Sequence, residues 1–240
     1  MPALAYSRMR RTVVTMLPHP ISFIANTNDD LHCFQSALRM GWQAIFGEEL
    51  SQVLADKYTD FRAGAQTWPF RGLLSIAQHG GSVVNVEDFD PESFVRSPRH
   101  EILRQTGDEE VANHIMSVAD AAREVPVVRD LLEHPAVTFT QRVPTSSDLI
   151  DSVNDPDCAV ICNINQPALM GRPGYNGHFV LVEGYNEGVF RIQDPGLPPL
   201  QDHDVPSATL LHAWTSPSPG LANIMKLVRP TQHPVVTRPQ

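Results

Sequence analysis

From residue 177 to residue 185 the chain reads Gly-His-Phe-Val-Leu-Val-Glu-Gly-Tyr, and from residue 28 to residue 35 it reads Asn-Asp-Asp-Leu-His-Cys-Phe-Gln. The downstream stretch is rich in β-branched and aromatic residues, which predicts a strand. A second strand-like run over 189–193 leads directly to Asp194. In the upstream stretch, Cys33 precedes apolar residues that recur at three- and four-residue steps, the pattern of an amphipathic helix. The two stretches therefore predict a thiol at a helix start and a histidine and an acid on neighbouring strands.

The register of the predicted hairpin decides whether the histidine and the acid can meet. With a three-residue loop at 186–188, Tyr185 pairs with Val189. Because strand side chains alternate with period two, His178 and Asp194 then become diagonal neighbours on one face of the sheet. A loop one residue shorter or longer would separate them.

The remaining pattern predicts an α+β domain. Helices are predicted over 34–45, 48–57, 70–78 and 145–153, and the segment 90–135 reads as a helical insertion. Strands are predicted over 137–143, 159–165, 179–185, 189–193 and 221–228. Helices first and antiparallel strands later favour an N-terminal helical part and a C-terminal antiparallel sheet. We expect a loosely ordered leader over 1–20, a single domain over 21–228 and a flexible tail over 229–240.

The composition excludes several classes of protein. A chain of 240 residues with 42% hydrophobic and 19% charged residues is long enough to bury a core. Its net charge of −9 argues against nucleic-acid binding. No apolar run approaches a membrane span, and the apolar stretch 12–16 is too short for a signal-peptide core. We therefore expect a soluble cytoplasmic protein with neither a nucleic-acid nor a membrane partner, while its oligomeric state stays open.

The other two cysteines are interpreted as packing residues. Three cysteines, an odd number, do not indicate a disulfide framework. Cys158 and Cys162 lie in an apolar run, where a free cysteine behaves as a small buried hydrophobe. A zinc site would need further ligands, and no second paired-ligand motif is present. We expect neither a metal nor a cofactor.

The chemistry predicted for these residues is acyl transfer. The start of a helix favours a thiolate through its aligned amide dipoles, and a neighbouring imidazolium favours it further. His178 would be that neighbour and would protonate the leaving group, while Asp194 would orient the imidazole. For the oxyanion we expect the backbone N–H of Cys33 and, as a side-chain donor, Asn28. Asn26 is the second choice for that donor.

The chain resembles the C39-like branch of papain-fold cysteine peptidases. The resemblance is carried by four motifs: the segment 28–40 around Cys33, Thr67-Trp68-Pro69, the strand 177–185, and Asp194-Pro195-Gly196-Leu197-Pro198-Pro199. The interval from cysteine to histidine falls within the roughly 130–150 residues of papain-type enzymes. This resemblance implies a papain-like fold with Cys33, His178 and Asp194 as nucleophile, base and orienting residue. Thr27 stands where papain-type enzymes usually carry a glutamine.

The resulting hypothesis is a cysteine hydrolase that cleaves a peptide or other amide bond through a thioester. Trp68 and Gly177 are predicted to contact the substrate. Two alternatives remain open: an acyltransferase of the same fold that passes the acyl group to an amine, and a non-catalytic binding module that keeps the cleft. Added amine would change the products only of the acyltransferase. A binding module would retain its ligand after Cys33→Ala.

Overall fold

The computed structural model describes residues 17–230. The outer parts of the predicted leader and tail, 1–16 and 231–240, lie outside the described residues. The helices are α1 (Cys33–Phe46), α2 (Gln52–Thr59), α3 (Phe70–Gln78), α4 (Pro91–Arg96), α5 (Pro98–Thr106), α6 (Glu109–Val118), α7 (Ala121–Glu133), α8 (Ser146–Val153), α9 (Gln166–Leu169) and α10 (Ser207–Thr215). The strands are β1 (Ser82–Glu87), β2 (Val137–Gln141), β3 (Cys158–Asn165), β4 (Gly177–Asn186), β5 (Val189–Asp194), β6 (Leu200–Pro206) and β7 (Asn223–Val228).

The strands form one sheet in the order β2-β1-β7-β3-β4-β5-β6. The β1–β2 pair is parallel and the other neighbouring pairs are antiparallel. The predicted α+β class is confirmed, with a helix that carries the cysteine at its start and a sheet that carries the histidine and the acid. The sheet is mostly antiparallel, as predicted, and its parallel pair joins β2 to β1, a strand that was not predicted.

Helices cover both faces of the sheet and create two hydrophobic clusters. On one face, α1 packs over Ile161, Leu181 and Leu227, and the helices of the segment 90–135 extend the same cluster. On the other face, α8, α9 and α10 pack over Val160 and Val182. Successive strand residues point to opposite faces, so these two sets alternate along the same strands. The central strands are therefore buried on both faces, and α1 is held rigidly against β3 and β4.

Local sequence signals explain where several helices begin and end. Helix α1 ends at Gly47, whose φ of 72° places it in the left-handed region that favours glycine. Helix α8 begins with a complete capping box, in which Thr145 and Asp148 each bond the backbone N–H of the other. Both features agree with the predicted helix ranges 34–45 and 145–153 to within one or two residues. The segment 90–135 is helical as α4 to α7, and its status as an insertion stays a prediction.

The turn of the β4–β5 hairpin is one residue shorter than predicted. Asn186 pairs with Val189, so the loop consists of Glu187 and Gly188. Both have positive φ, 47° and 88°, as the two central residues of a type I′ turn do. The predicted pairing of Tyr185 with Val189 is therefore wrong, because the ladder next to the turn is displaced by one residue.

A β-bulge at Glu183 corrects this displacement before the strands reach the histidine. The register shifts between Val182 and Gly184, which leaves one extra residue in β4. Beyond the bulge, the ladder has the register that a three-residue loop would have produced. His178 and Asp194 therefore lie diagonally across the hairpin, on the same face of the sheet.

Candidate active site

The start of α1 carries Cys33 as its first residue, preceded by His32 at the N-cap position. Asp29 and Asp30 are residue types that often cap helices, but neither caps this turn. The Asp29 carboxylate accepts from the N–H of Leu31, and that of Asp30 accepts from the side-chain amide of Asn26. Within residues 17–230, no side chain caps the helix. The first N–H groups of α1, which have no partner inside the helix, are therefore left to act on a negative charge beside Cys33.

His178 and Asp194 form a buried pair at the other wall of the site. The Nε2 atom of His178 lies 2.6 Å from Oδ1 of Asp194, and both side chains are almost completely buried. The same Oδ1 accepts a hydrogen bond of 2.8 Å from the backbone N–H of Gly196. An ionised carboxylate can only accept, so Nε2 carries the hydrogen of this bond.

The pair stabilises the charged form of both groups. Burial by itself would lower the pKa of His178, but hydrogen bonds with Asp194 and Cys33 outweigh it and raise that pKa. Burial would likewise raise the pKa of Asp194, but the hydrogen bond from His178 outweighs it and the pKa is lowered. The site therefore favours an imidazolium held by a carboxylate, which is what a thiolate partner requires.

The thiol of Cys33 meets the imidazole in a small cleft. Both side chains line one cavity of about 30 Å³, and the neighbouring thiol contributes to the raised pKa of His178. Because Nε2 of His178 is engaged by Asp194, Nδ1 is the nitrogen left for the sulfur. Cys33 is partly exposed, so the sulfur can be reached from solvent.

Cys158 and Cys162 have the opposite character. They pack in the cluster beneath α8 and α10, on the other side of the sheet from α1. Burial raises the pKa of the Cys158 thiol to about 12 and raises that of Cys162 as well. Both remain protonated at neutral pH and are poor nucleophiles, in agreement with their interpretation as packing residues.

The loop before α1 is held by Asn26, which sequence reasoning ranked as the second oxyanion donor. Its Oδ1 accepts from the N–H groups of Thr27 and His32, and its own N–H donates to the carbonyl of Pro195, 2.7 Å away. Its side chain is therefore used to fix the start of α1 against the loop that follows Asp194. Sequence reasoning missed this structural role.

The other proposed oxyanion donor, Asn28, is exposed in the turn before α1 and lines neither of the two cavities described here. The assignment of Asn28 as an oxyanion donor stays a prediction, and its exposed location outside both cavities does not support it. Thr27, at the usual glutamine position, uses its hydroxyl on Asp29 and on Nδ1 of His32. His32 in turn packs on Phe61. The His32 imidazole is therefore held by the Thr27 hydroxyl and the Phe61 ring.

Trp68 and Gly177, the predicted substrate contacts, line a larger cavity of about 110 Å³. Gly177 also lines the small cleft with Cys33. A Cβ at Gly177 would lie 3.2 Å from Oδ1 of Asn163 and 3.3 Å from the hydroxyl of Tyr175, so glycine keeps this wall open. Sequence reasoning did not identify the larger cavity, because its residues come from seven or more separate segments of the chain.

Gly196 is a second position that sequence reasoning did not assign to the site. A Cβ there would lie 2.8 Å from Nε2 of Gln166, 2.9 Å from Oδ1 of Asp194 and 3.2 Å from Cε1 of His178. Contacts this short force the neighbouring atoms to move. The backbone at Gly196 does not need positive φ, so its requirement for glycine is one of space.

We predict that Gly196→Ala lowers kcat/KM by about 10- to 100-fold, because it displaces the imidazole and carboxylate from each other. The measurement is the release of amine from a panel of peptide amides, compared with that by the wild-type protein. Far-ultraviolet circular dichroism and thermal unfolding establish that the variant is folded. Wild-type kcat/KM in a folded variant would contradict the prediction.

The comparisons with known proteins find similarity at the level of structure. No family model matches the chain, and no curated protein matches its sequence. The fold is similar to the crystal structure of the peptidase domain of Streptococcus ComA, described as a bifunctional ABC transporter involved in a quorum-sensing pathway. That similarity has a TM-score of 0.47 at 8% sequence identity and covers 88% of this chain and 99% of that one. Similarity at this level bears on neither activity nor substrate.

Two further findings concern residues 17–230. None of the helices there combines the length and the apolar character that a membrane span needs. In the same part of the chain, no group of three or more His, Cys, Asp and Glu side chains is arranged to hold a metal ion.

Proposed function

We propose that the protein is a cysteine hydrolase that cleaves a peptide or other amide bond through a thioester intermediate. In this proposal Cys33 is the nucleophile, His178 the general base and acid, and Asp194 the residue that orients the imidazole. One observation carries it: a partly exposed thiol at an uncapped helix start shares a cleft with a histidine whose ring is fixed by a buried carboxylate. Packing alone gives no reason for this combination.

In the acylation step, the Cys33 thiolate attacks the carbonyl carbon of the substrate, and a C–S bond forms. The C–N bond of the amide then breaks as Nδ1 of His178 transfers its proton to the departing nitrogen. Asp194 holds the ring through Nε2, so that Nδ1 keeps facing the sulfur. The products of this step are an amine and a thioester on Cys33.

In the deacylation step, His178 is neutral and takes a proton from a water molecule. The resulting hydroxide attacks the thioester carbonyl, the C–S bond breaks, and a carboxylic acid leaves. Cys33 returns as a thiolate beside the imidazolium. The negative oxygen in both tetrahedral intermediates would be stabilised by the free N–H groups at the start of α1.

One observation favours the binding module as a second candidate. Papain-type enzymes usually carry a glutamine at the position that Thr27 occupies here. The hydroxyl of Thr27 is instead hydrogen-bonded to Asp29 and His32. Loss of a single oxyanion donor typically costs about 10²- to 10³-fold in rate. A binding module would therefore retain the cleft with little turnover.

The test of the proposed nucleophile is alkylation by iodoacetamide at pH 6, followed by peptide mass spectrometry. We expect Cys33 to be modified while Cys158 and Cys162 stay unmodified, because only the Cys33 thiol has an imidazolium partner. Cys33→Ala should abolish the labelling. Cys158→Ser serves as the matched control and should label like the wild type.

Preferential labelling of Cys158 or Cys162 in the folded protein would overturn the assignment of the nucleophile. Labelling of Cys33 at pH 6 no faster than that of a free cysteine would favour the binding module. For a labelled and active protein, product analysis with and without an added amine separates the hydrolase from the acyltransferase.

A further inference from the structure

The cavity of about 110 Å³ adjoins the cleft of Cys33 and His178. The two share a wall made by Gln66, Thr67, Gly177 and Phe179. A volume of about 10–15 Å³ on this scale holds one water molecule. The cavity therefore has room for several non-hydrogen atoms of a group that enters beside the sulfur.

The floor of this cavity is a row of polar side chains on the same face of the sheet as α1. Asn85 and Glu87 of β1 follow Val83 on that face, and Glu87 pairs across the sheet with Asn223 of β7. Asn163 of β3 lies beside them, and its N–H donates to Oδ1 of Asn223. Buried faces of a sheet are normally apolar, since a buried polar group costs free energy unless it is hydrogen-bonded.

Three residues that line the cavity carry a buried polar atom without a hydrogen-bond partner among the described residues. Asn85 is 1% exposed, and its Oδ1 has no hydrogen-bond partner among the described residues. The same holds for Oδ1 of Asn163. The indole N–H of Trp68 is a third such group. Two of these three orphaned atoms are acceptors, so the floor is better suited to a donor than to an acceptor.

Glu87 makes the floor acidic. Its Oε1 accepts a hydrogen bond of 2.6 Å from the side-chain amide of Asn85, which leaves Oε2 for another donor. No Lys or Arg is present among the described residues that line the cavity. The nearby Arg104 is engaged by Glu101 and Asp88. Burial, with the repulsion of Glu101 and Asp88, raises the pKa of Glu87 to about 7.

Above this floor the walls are apolar. Aromatic and aliphatic side chains surround the space, namely Phe70, Phe89, Ile102, Phe179 and Met225. Such walls suit an unbranched aliphatic stem, and the acceptors at the end suit a nitrogen that carries several hydrogens.

We infer that this cavity is the specificity pocket of the site and receives a lysine or arginine side chain of the substrate, at a residue adjacent to the bond that is cleaved. Glu87 binds the cationic end together with Oδ1 of Asn85, and the apolar walls hold the stem. The inference rests on the proposed function, which supplies the reaction beside the pocket.

The test compares the chloromethyl ketones of Nα-acetyl-lysine and Nα-acetyl-norleucine. Their side chains share an aliphatic stem and differ in the terminal ammonium of lysine. The rate of labelling of Cys33 is followed by mass spectrometry at pH 8, where Glu87 is ionised. We expect the lysine probe to react about 10- to 100-fold faster, the range of a charge-assisted hydrogen bond. Glu87→Gln should reduce the lysine rate to the norleucine rate and leave the norleucine rate unchanged.

Glu92→Gln is the matched control, since it removes the same charge from an exposed residue of α4 and should change neither rate. Equal rates for the two probes, in a protein whose Cys33 reacts with iodoacetamide, overturn the pocket and leave the proposed function standing. Failure of every electrophile at Cys33 instead overturns the proposed function.

A binding measurement tests the pocket in a protein that lacks the Cys33 thiol. In Cys33→Ala protein, the nuclear magnetic resonance signal of the Trp68 indole N–H should shift with acetyl-lysine methylamide and not with acetyl-norleucine methylamide. The shift should disappear in the Cys33→Ala, Glu87→Gln double variant. An unchanged Trp68 signal at millimolar concentrations of the lysine compound would overturn the inference.

Discussion

Cys33→Ala is expected to reduce kcat/KM for a peptide amide by about 10⁴- to 10⁶-fold, because the variant can form no thioester and retains only binding and the dipoles at the start of α1. Cys33→Ser should fall nearly as far, since a hydroxyl at this position does not ionise as a thiol does. The measurement is release of a fluorescent amine from a panel of peptide amides, with rates extended to long incubation times.

Cys158→Ser is the control for this experiment. Its thiol donates to the carbonyl of Ser152, 3.1 Å away, and a hydroxyl can make the same hydrogen bond. We expect wild-type kcat/KM from this variant, because position 158 lies at the opposite end of β3 from Ile164, the residue that pairs with His178. A Cys33→Ala protein that hydrolyses the same amides within tenfold of the wild type would remove Cys33 from the mechanism.

Asp194→Asn is expected to lower kcat/KM by about 10²- to 10⁴-fold, since an amide can present its N–H₂ to the ring and stabilise the wrong tautomer. It should also change the pH profile. The bond to Asp194 helps to raise the pKa of His178, so its loss lowers that pKa. The imidazolium then deprotonates at lower pH, and the alkaline limb of kcat/KM moves downward in pH.

Asp204→Asn provides the matched control on the neighbouring strand. Asp204 pairs with Arg191 at 2.9 Å on the surface, and exposed ion pairs of this kind contribute little to stability. We expect this variant to keep the wild-type rate and pH profile. An alkaline limb that stays in place, or moves upward, in Asp194→Asn would show that Asp194 does not support the imidazolium.

The elements that could be predicted from sequence are those whose apolar pattern serves packing alone. Strands β3 and β4 are mostly buried apolar residues and β5 mixes apolar with polar ones, and the predicted ranges fall within one or two residues of the observed ones. The same is true of α1, with its apolar stripe and Gly47 as its end. In these segments, local preference and tertiary contacts favour the same structure.

Strand β1 was not predicted, for a reason connected with the proposed pocket. Its core face carries Val83, then Asn85 and Glu87, so polar residues occupy positions where the period-two pattern requires apolar ones. Strand β6 was missed because it is a polar edge strand that ends in proline, a composition that resembles a loop and protects a sheet edge. Helix α10, which follows β6 directly, was also not predicted.

Within the candidate site, the linear sequence identified the three residues that the fold brings together, since each has a strong local signal. It did not identify the supporting contacts. The use of Asn26 to fix the loop, and the requirement for glycine at position 196, depend on atoms that approach from distant segments. The uncapped start of α1 was also hidden, because Asp29 and Asp30 have the composition of a cap while their carboxylates bond elsewhere.

The extra residue at Glu183 has a consequence for how this hairpin can change over evolution or in engineering. It lies between the tip and the end that carries His178, so residues can be gained or lost at the tip while the far end keeps its alignment. Removal of a single residue between 178 and 183 would instead turn the imidazole to the opposite side of the sheet. The tip can therefore vary in length. The number of residues from His178 to the bulge at Glu183, by contrast, can change only by an even number if His178 is to stay on the same face.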